Sequence, residues 1–405
     1  MGKWSDIPVQ SVGILPMPAS LMILPYIESW DRHIDNILSL RLENTPPQWS
    51  FFKYVITGEL DKAKEAMEVV NEKEVKLYNL AILSGSEEDI EKTIRVLKDQ
   101  LLVSLLENLL NLGRGQKLKT DVDTDRRDIQ ALLSLMRSVR ETSSGNRKLA
   151  TEALDEAVKL IKGLSPVFEA HLLYKKALLI FESKGENYHL LSLYEEILKT
   201  LKDTKADWLK GEIYFQMGNM FSTFGNLHEA IKHYNLALEH KDRDKERYTW
   251  ALIQNNKGLA YLSIPVQDVE DHMRLAYGVQ CLKKALEVFT KKSFPEEWAS
   301  ATLNYANALQ YLPTADPVKN LLKAIELYKE VAHYREQKGD REGYARALAN
   351  MGNALAHLGR LDEAKDKLIT ARRTFMSMGM SDEVSAIDEI MNEIKSVEAT
   401  DGYHK

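Results

Sequence analysis

The chain has 405 residues, enough for two or three ordinary domains or for one extended array of repeats. Its formal charge of −6 lacks the basic excess typical of nucleic-acid-binding proteins, so we expect no nucleic-acid partner. The single cysteine, Cys281, excludes an intramolecular disulfide and fits a reducing compartment.

The first apolar segment, residues 12–27, is interrupted by Pro16, Pro18 and Pro25. It is too short for a membrane span, and only Lys3 precedes it as the basic residue of a signal peptide. We therefore expect a cytoplasmic protein without a membrane anchor. The segment is interpreted as a cap over the open end of a helical array. The alternatives are a docking surface for a partner and a peptide that blocks the protein's own groove.

Residues 1–112 are predicted to form an N-terminal helical unit. Apolar residues at helical intervals predict one amphipathic helix over residues 26–42 and another over residues 87–112. Residues 113–127 are polar, charged and without apolar periodicity. They are predicted to be a charged linker to the next part of the chain.

Residues 128–395 are predicted to contain six repeats, because four packing positions recur, with the same steps in four repeats and a longer first step in the other two. In one repeat these positions are Gly218, Ala230, Tyr234 and Ala237, with steps of 12, 4 and 3 residues. Only a missing or small side chain lets two helices approach closely, so Gly218 and Ala230 indicate a helix crossing. At all five junctions, 21 residues separate the last packing position of one repeat from the crossing position of the next, as from Ala237 to Gly258.

The sequence of residues 211–240 resembles the tetratricopeptide repeat, whose pattern alternates aromatic and small residues on two helices. Residues 285–309, with Pro295 and Trp298 at a helix start, resemble a long-helix variety found in bacterial proteins. The resemblance implies an all-α helical-hairpin solenoid wound as a right-handed superhelix. A final helix closes the array, and residues 396–405 are predicted to be a tail.

No catalytic motif is present, whether a nucleophile elbow, a His-Glu-x-x-His zinc motif or a phosphate-binding loop. We expect no enzymatic activity, no cofactor and no metal. Cys281 lies on the packing side of a helix and is interpreted as a buried structural thiol. His233 and His240 are seven residues apart without a third ligand nearby, so both are predicted to lie at the surface.

Asparagine recurs near the crossing positions of the first helices in the last four repeats. These residues are Asn219, Asn255, Asn256, Asn304, Asn307, Asn350 and Asn353. Asparagine is unfavourable in a helix interior, because its amide competes for backbone hydrogen bonds, so its recurrence needs a reason. In proteins that resemble this one, first helices line a concave groove.

There, an asparagine amide can donate to and accept from the backbone of an extended peptide. Together with Arg346, which would face a carboxylate, the asparagines are predicted to form a peptide-binding site. The alternative interpretation is that they join neighbouring helices through side-chain hydrogen bonds.

The leading hypothesis is a non-enzymatic scaffold or adaptor that binds a partner peptide or helix in the concave groove. A second hypothesis is a regulatory sensor that switches a partner enzyme, in a bacterial stress or defence system, with the linker as a hinge. The third is self-assembly into a homo-oligomer by end-to-end stacking. An enzyme whose site is assembled across distant repeats comes last.

Overall fold

The computed structural model describes residues 21–119, 122, 124–265, 271–314 and 316–402, and this part contains helices and no strand. The predicted all-α fold is therefore confirmed for the described residues. Residues 12–20 of the predicted cap and residues 403–405 of the predicted tail lie outside them. Two compact units, Met1–Ile213 and Tyr214–Lys405, are described separately below.

The first unit contains ten complete helices among its described residues, besides short 3-10 turns at Pro47–Trp49 and Met67–Val69. The helices are α1 (Trp30–Leu38), α2 (Ser50–Ile56), α3 (Leu60–Ala66), α4 (Lys73–Ser84), α5 (Glu87–Val96), α6 (Gln100–Gly113), α7 (Arg127–Ser143), α8 (Arg147–Ile161), α9 (Pro166–Lys184) and α10 (Tyr188–Thr200). Helices α7 and α8 pack together, as do α9 and α10.

Two of the predicted helices in this unit are shorter than the apolar pattern suggested. The helix predicted over residues 26–42 spans only Trp30–Leu38, and Leu40 beyond it has a left-handed φ of 58°. The helix predicted over residues 87–112 is divided into α5 and α6. The side chain of Asp99 accepts hydrogen bonds from two amides at the start of α6, which fixes a new helix beginning there.

Residues 22–27 are not helical and pack inside the first unit. Met22, Ile23 and Leu24 are almost completely buried. The Asn79 carboxamide holds both backbone groups of Ile23, accepting from its N–H at 2.9 Å and donating to its carbonyl at 2.7 Å. Since buried backbone groups require partners, Asn79 makes burial of this extended segment feasible.

The same contact recurs where α6 meets the predicted linker. Asn108 accepts from the N–H of Lys119 at 2.7 Å and donates to its carbonyl at 3.2 Å. Leu118 is buried beside it, and Arg126 pairs with the fully buried carboxylate of Asp128 at 2.7 Å. Lys119 in the predicted linker is therefore held to α6 by its main chain, whereas the Arg126 pair is local to the start of α7.

The second unit contains the end of α11 and eight further helices among its described residues. They are α11 (Asp207–Thr223), α12 (Leu227–Glu239), α13 (Arg247–Ser263), α14 (Asp271–Leu286), α15 (Pro295–Tyr311), α16 (Pro317–Lys338), α17 (Arg341–His357), α18 (Leu361–Ser377) and α19 (Ser381–Gly402). We call α11, α13, α15 and α17 first helices, and α12, α14, α16 and α18 second helices.

Glycines at the predicted crossing positions let the helices of one pair approach closely. A Cβ atom on Gly258 would lie 2.9 Å from the Leu282 Cγ and 3.0 Å from the Gly278 carbonyl oxygen. Both distances are below normal contact, so α13 and α14 cross at a point where a side chain does not fit.

Helix α19 packs against α18 through the buried residues Ile387 and Ile394. The guanidinium of Arg372 on α18 donates to both carboxylate oxygens of Asp388, at 2.6 and 3.0 Å. Within the residues that the structure describes, none of the helices has the length and apolar character needed to cross a lipid bilayer.

Candidate functional site

Asn219 on α11 is held by two neighbours through one oxygen atom. The Tyr234 hydroxyl donates to Asn219 Oδ1 at 2.9 Å, and Asn256 Nδ2 on α13 donates to the same atom at 3.1 Å. Tyr234 is almost completely buried, whereas both asparagines are half-buried. The contact joins a second helix to two successive first helices.

The same three-residue arrangement recurs around Asn307 on α15. The Tyr328 hydroxyl donates to Asn307 Oδ1 at 2.7 Å, and Asn350 Nδ2 on α17 donates to it at 2.8 Å. Burial raises the pKa of Tyr328, with a smaller contribution from Tyr311, so this hydroxyl keeps its proton and acts as a donor. Two repeats therefore use one hydrogen-bonding scheme.

A row of four amides links the first helices α11, α13 and α15. Asn304 Nδ2 donates to Asn255 Oδ1 at 3.3 Å, and Asn255 Nδ2 donates to Asn256 Oδ1 at 3.2 Å. Asn256 in turn donates to Asn219. We call these four residues the amide row.

The hydrogen bonds determine which atoms of Asn219 and Asn307 remain for a ligand. An amide oxygen has two lone pairs, and in both residues Oδ1 already accepts two hydrogen bonds. Reversing either amide would place its NH₂ group against the NH₂ group of Asn256 or Asn350. Neither Nδ2 has a hydrogen-bond acceptor among the described residues. These two asparagines therefore offer N–H donors and no acceptor.

The two remaining predicted site residues lie on α17. Asn353 Nδ2 donates to the Tyr311 hydroxyl at 3.1 Å. Arg346 pairs with Glu342 at 2.9 Å and with Glu383 at 3.0 Å, so its charge is already balanced within the chain. Its side chain is still 47% exposed, which leaves part of the guanidinium accessible.

Two cavities border the amide row. One of about 400 Å³ is lined in part by Asn255, Ser300 and Arg335, and one of about 340 Å³ by Asn304 and the same two residues. In the first cavity two carboxylates, Glu296 and Glu297, face one cation, Arg335. In the second, Asp340 and Glu342 balance Arg335 and Arg346. Only a ligand side chain that enters the cavity beside Asn255 would therefore meet a mildly acidic environment.

All eight predicted site residues lie on first helices, and the seven asparagines all make side-chain hydrogen bonds. All seven join neighbouring first helices, Asn353 through the Tyr311 hydroxyl, as the alternative interpretation predicted. The hydrogen-bonding roles of Tyr234, which was predicted only as a packing position, and of Tyr328 were missed. Their spacing from the asparagines, 15 and 21 residues, was the available signal.

The predicted surface position is wrong for His233, which is only 8% exposed. Its ring lies 4.8 Å from the ring of Phe221, and its Nδ1 is 2.8 Å from the Glu229 carbonyl oxygen. Cys281 is buried as predicted, and burial raises the pKa of its thiol. The described residues contain no group of three or more His, Cys, Asp or Glu side chains that could hold a metal ion.

Residues 211–241 match the family model described as a tetratricopeptide repeat, which confirms the predicted resemblance. The match does not extend to the long-helix variety, which stays a prediction. No curated protein matches the sequence.

Several solved structures are similar at low identity. A STAND signal-transduction ATPase with a tetratricopeptide-repeat sensor, from Pyrococcus horikoshii, is 16% identical with a TM-score of 0.46, covering 90% of this chain and 60% of that one. A Rap protein complexed with competence and sporulation factor is 14% identical, with a TM-score of 0.42 and coverages of 90% and 99%. The apo quorum sensor NprR from B. thuringiensis is 11% identical, with a TM-score of 0.41 and coverages of 85% and 93%.

Proposed function

We propose that the chain is a non-enzymatic protein-binding module. Its first helices α11, α13, α15 and α17 would bind an extended segment of a partner protein. The observation that carries this proposal is the pair of fixed donors at Asn219 and Asn307. The two side chains are half-buried and held in one orientation, and their amide nitrogens have no acceptor in the described part of the chain.

Backbone carbonyl groups of an extended peptide are the acceptors that suit this arrangement. They recur along any sequence, so two fixed donors in repeats of the same array can hold a chain without selecting its side chains. The cavities beside Asn255 and Asn304 would then select side chains, and the excess of carboxylates beside Asn255 favours basic or polar ones there.

The first unit supplies a precedent within the same chain. Asn79 and Asn108, both fully buried on helices, hold the backbone of Ile23 and Lys119 through their carboxamides. An asparagine on a helix of this protein thus holds a non-helical segment by its main chain. Asn219 and Asn307 would use only the donating half of that contact.

The decisive variant is the double substitution Asn219→Asp and Asn307→Asp. Aspartate keeps an oxygen for the tyrosine hydroxyl and the neighbouring amide, but it replaces the NH₂ donor with an acceptor that repels a carbonyl. The full chain and the variant would be used side by side for affinity capture from native extract, with captured proteins identified by mass.

We expect the wild type to retain a partner that the folded double variant loses. The matched control is Asn226→Asp, because Asn226 caps α12 through its oxygen and aspartate preserves that bond. A folded double variant that captures the same partner as the control would refute the role of the donors.

The hinge hypothesised at residues 113–127 is not part of this proposal. Leu118 is buried and Asn108 holds Lys119, so this part of the segment is anchored to α6. Self-assembly stays a hypothesis, and sedimentation of the full chain at several concentrations tests it.

A further inference from the structure

A second surface lies on the opposite side of α15 from the asparagines, between the second helices α14 and α16. It contains a cavity of about 540 Å³, within the range of roughly 300 to 1,000 Å³ that is usual for ligand pockets. Its lining includes six apolar residues. Val318 and Leu322 lie on α16, and the others are Val279, Tyr305, Leu309 and Leu312. We call this surface the second-helix cleft.

The outer wall of the cleft carries apolar side chains where the repeats of α12 and α18 have polar ones. Val318 and Leu322 are one helical turn apart on α16, and they are 51% and 44% exposed. Counted from the crossing residue, the position of Leu322 is taken by the exposed residues His228 in α12 and Asp362 in α18. The apolar wall therefore distinguishes this repeat from those of α12 and α18, whereas α14 has the exposed residue Ala276 at the same position.

Lysines surround the apolar lining. The Nζ atom of Lys283 lies 5.9 Å from the centre of the Tyr305 ring. Lys319 and Lys323 lie in the first two turns of α16 and also line the cleft. Lys283 and Lys319 have no ion pair with any described residue, whereas Lys323 is paired with Glu326 at 3.1 Å.

The other acidic group, Asp316, is used to cap α16 by accepting from the Lys319 amide at 3.0 Å. With three lysines against two carboxylates, Asp316 and Glu326, the lining of the cleft carries a net charge of +1 beside an apolar surface.

We propose that the second-helix cleft binds an acidic amphipathic helix of a partner protein. Val318 and Leu322 form a ridge at i, i+4 spacing, which is the surface that another helix packs against. Carboxylates beside the apolar stripe of that helix would meet Lys283 and Lys319 at the rim. Such rim charges select the sign of the partner and raise the rate of association.

The test uses a labelled synthetic peptide of about 16 residues, roughly four turns, with leucines along one face and glutamates elsewhere. Its binding to the full chain is measured by fluorescence anisotropy. We expect saturable binding that Leu322→Glu weakens by about tenfold or more, since a buried apolar anchor carries much of the affinity of such a contact. Lys283→Glu combined with Lys319→Glu should weaken it too, and added salt should reduce it.

The matched control is Leu149→Glu, a comparably exposed leucine on α8 in the first unit, which should bind the peptide like the wild type. The Asn219→Asp and Asn307→Asp variant should also bind normally, so failure of this proposal and of the proposed function are distinguishable.

Three results would overturn the proposal. They are absence of binding to the wild type, equal binding of a peptide with lysines in place of the glutamates, and equal binding by Leu322→Glu. A self-association that Leu322→Glu abolishes would assign the cleft to a second copy of the chain instead.

Discussion

Replacing Tyr328 by phenylalanine removes only the hydroxyl that holds Asn307. The ring is fully buried and stays in place, so no cavity forms. The hydroxyl lies 2.7 Å from Asn307 Oδ1 and 3.2 Å from Gln310 Oε1, but its single hydrogen serves one acceptor at a time. One net hydrogen bond contributes about 0.5–1.5 kcal/mol. We expect the local opening free energy of α15 and α16 to fall by about 1 kcal/mol, which makes amide exchange roughly fivefold faster.

Hydrogen exchange of the full chain, followed by mass spectrometry, measures this change helix by helix. The control is Tyr344→Phe, because the Tyr344 hydroxyl has no hydrogen-bond partner among the described residues, and exchange should not change. In a double-mutant cycle with Asn307→Ala, the two effects should be less than additive by about 0.5 kcal/mol or more. Strict additivity would show that the hydroxyl does not hold the amide, and the reasoning would be refuted.

Two further predictions concern packing and pH. Gly258→Ala places a methyl group 2.9 Å from the Leu282 Cγ, and overpacking of about 1–3 kcal/mol outweighs the gain of about 1 kcal/mol in helix propensity. Circular dichroism should show a lower unfolding temperature, whereas Gly113→Ala, with no atom within 4 Å, should not lower it; a more stable Gly258→Ala would contradict the close crossing. Hydrogen bonds from Arg372 lower the pKa of Asp388 below its usual 3.8. The stabilisation that this ion pair gives to the docking of α19 is therefore fully present above pH 3.8. It is lost as the pH falls through the lower folded pKa, and exchange of α19 should rise in acid less steeply in Asp388→Asn than in wild type.

The repeat pattern could be predicted because it is local in sequence. The turn at Gly225 and Asn226 lies between α11 and α12, where Gly225 has a φ of 75° and Asn226 caps the next helix. Ala230 and Ala237, two of the predicted packing positions, are fully buried. Helical periodicity and small residues at crossings are determined within about one hairpin, so one sequence contains enough information.

The hydrogen-bond partners could not be predicted in the same way. Ile23 and Asn79 are 56 residues apart, and Asn219 and Asn256 are 37 apart, so no local periodicity relates them. The pattern did identify which asparagines were unusual for a helix interior. It did not show that tyrosine hydroxyls and neighbouring amides donate to the oxygens of Asn219 and Asn307. Because those oxygens are occupied, the two side chains can donate to a peptide but cannot accept from it.

The amide row has a direction. Asn304 donates to Asn255, Asn255 to Asn256, and Asn256 to Asn219, so the four amide dipoles are aligned head to tail from α15 to α11. Aligned hydrogen bonds polarise one another, and each strengthens the next. The strength of a hydrogen bond from Asn219 to a ligand carbonyl would therefore depend on all four amides. It would thus depend on the spacing of three successive first helices. A change in the spacing of α11, α13 and α15 would change the affinity for a carbonyl bound at Asn219.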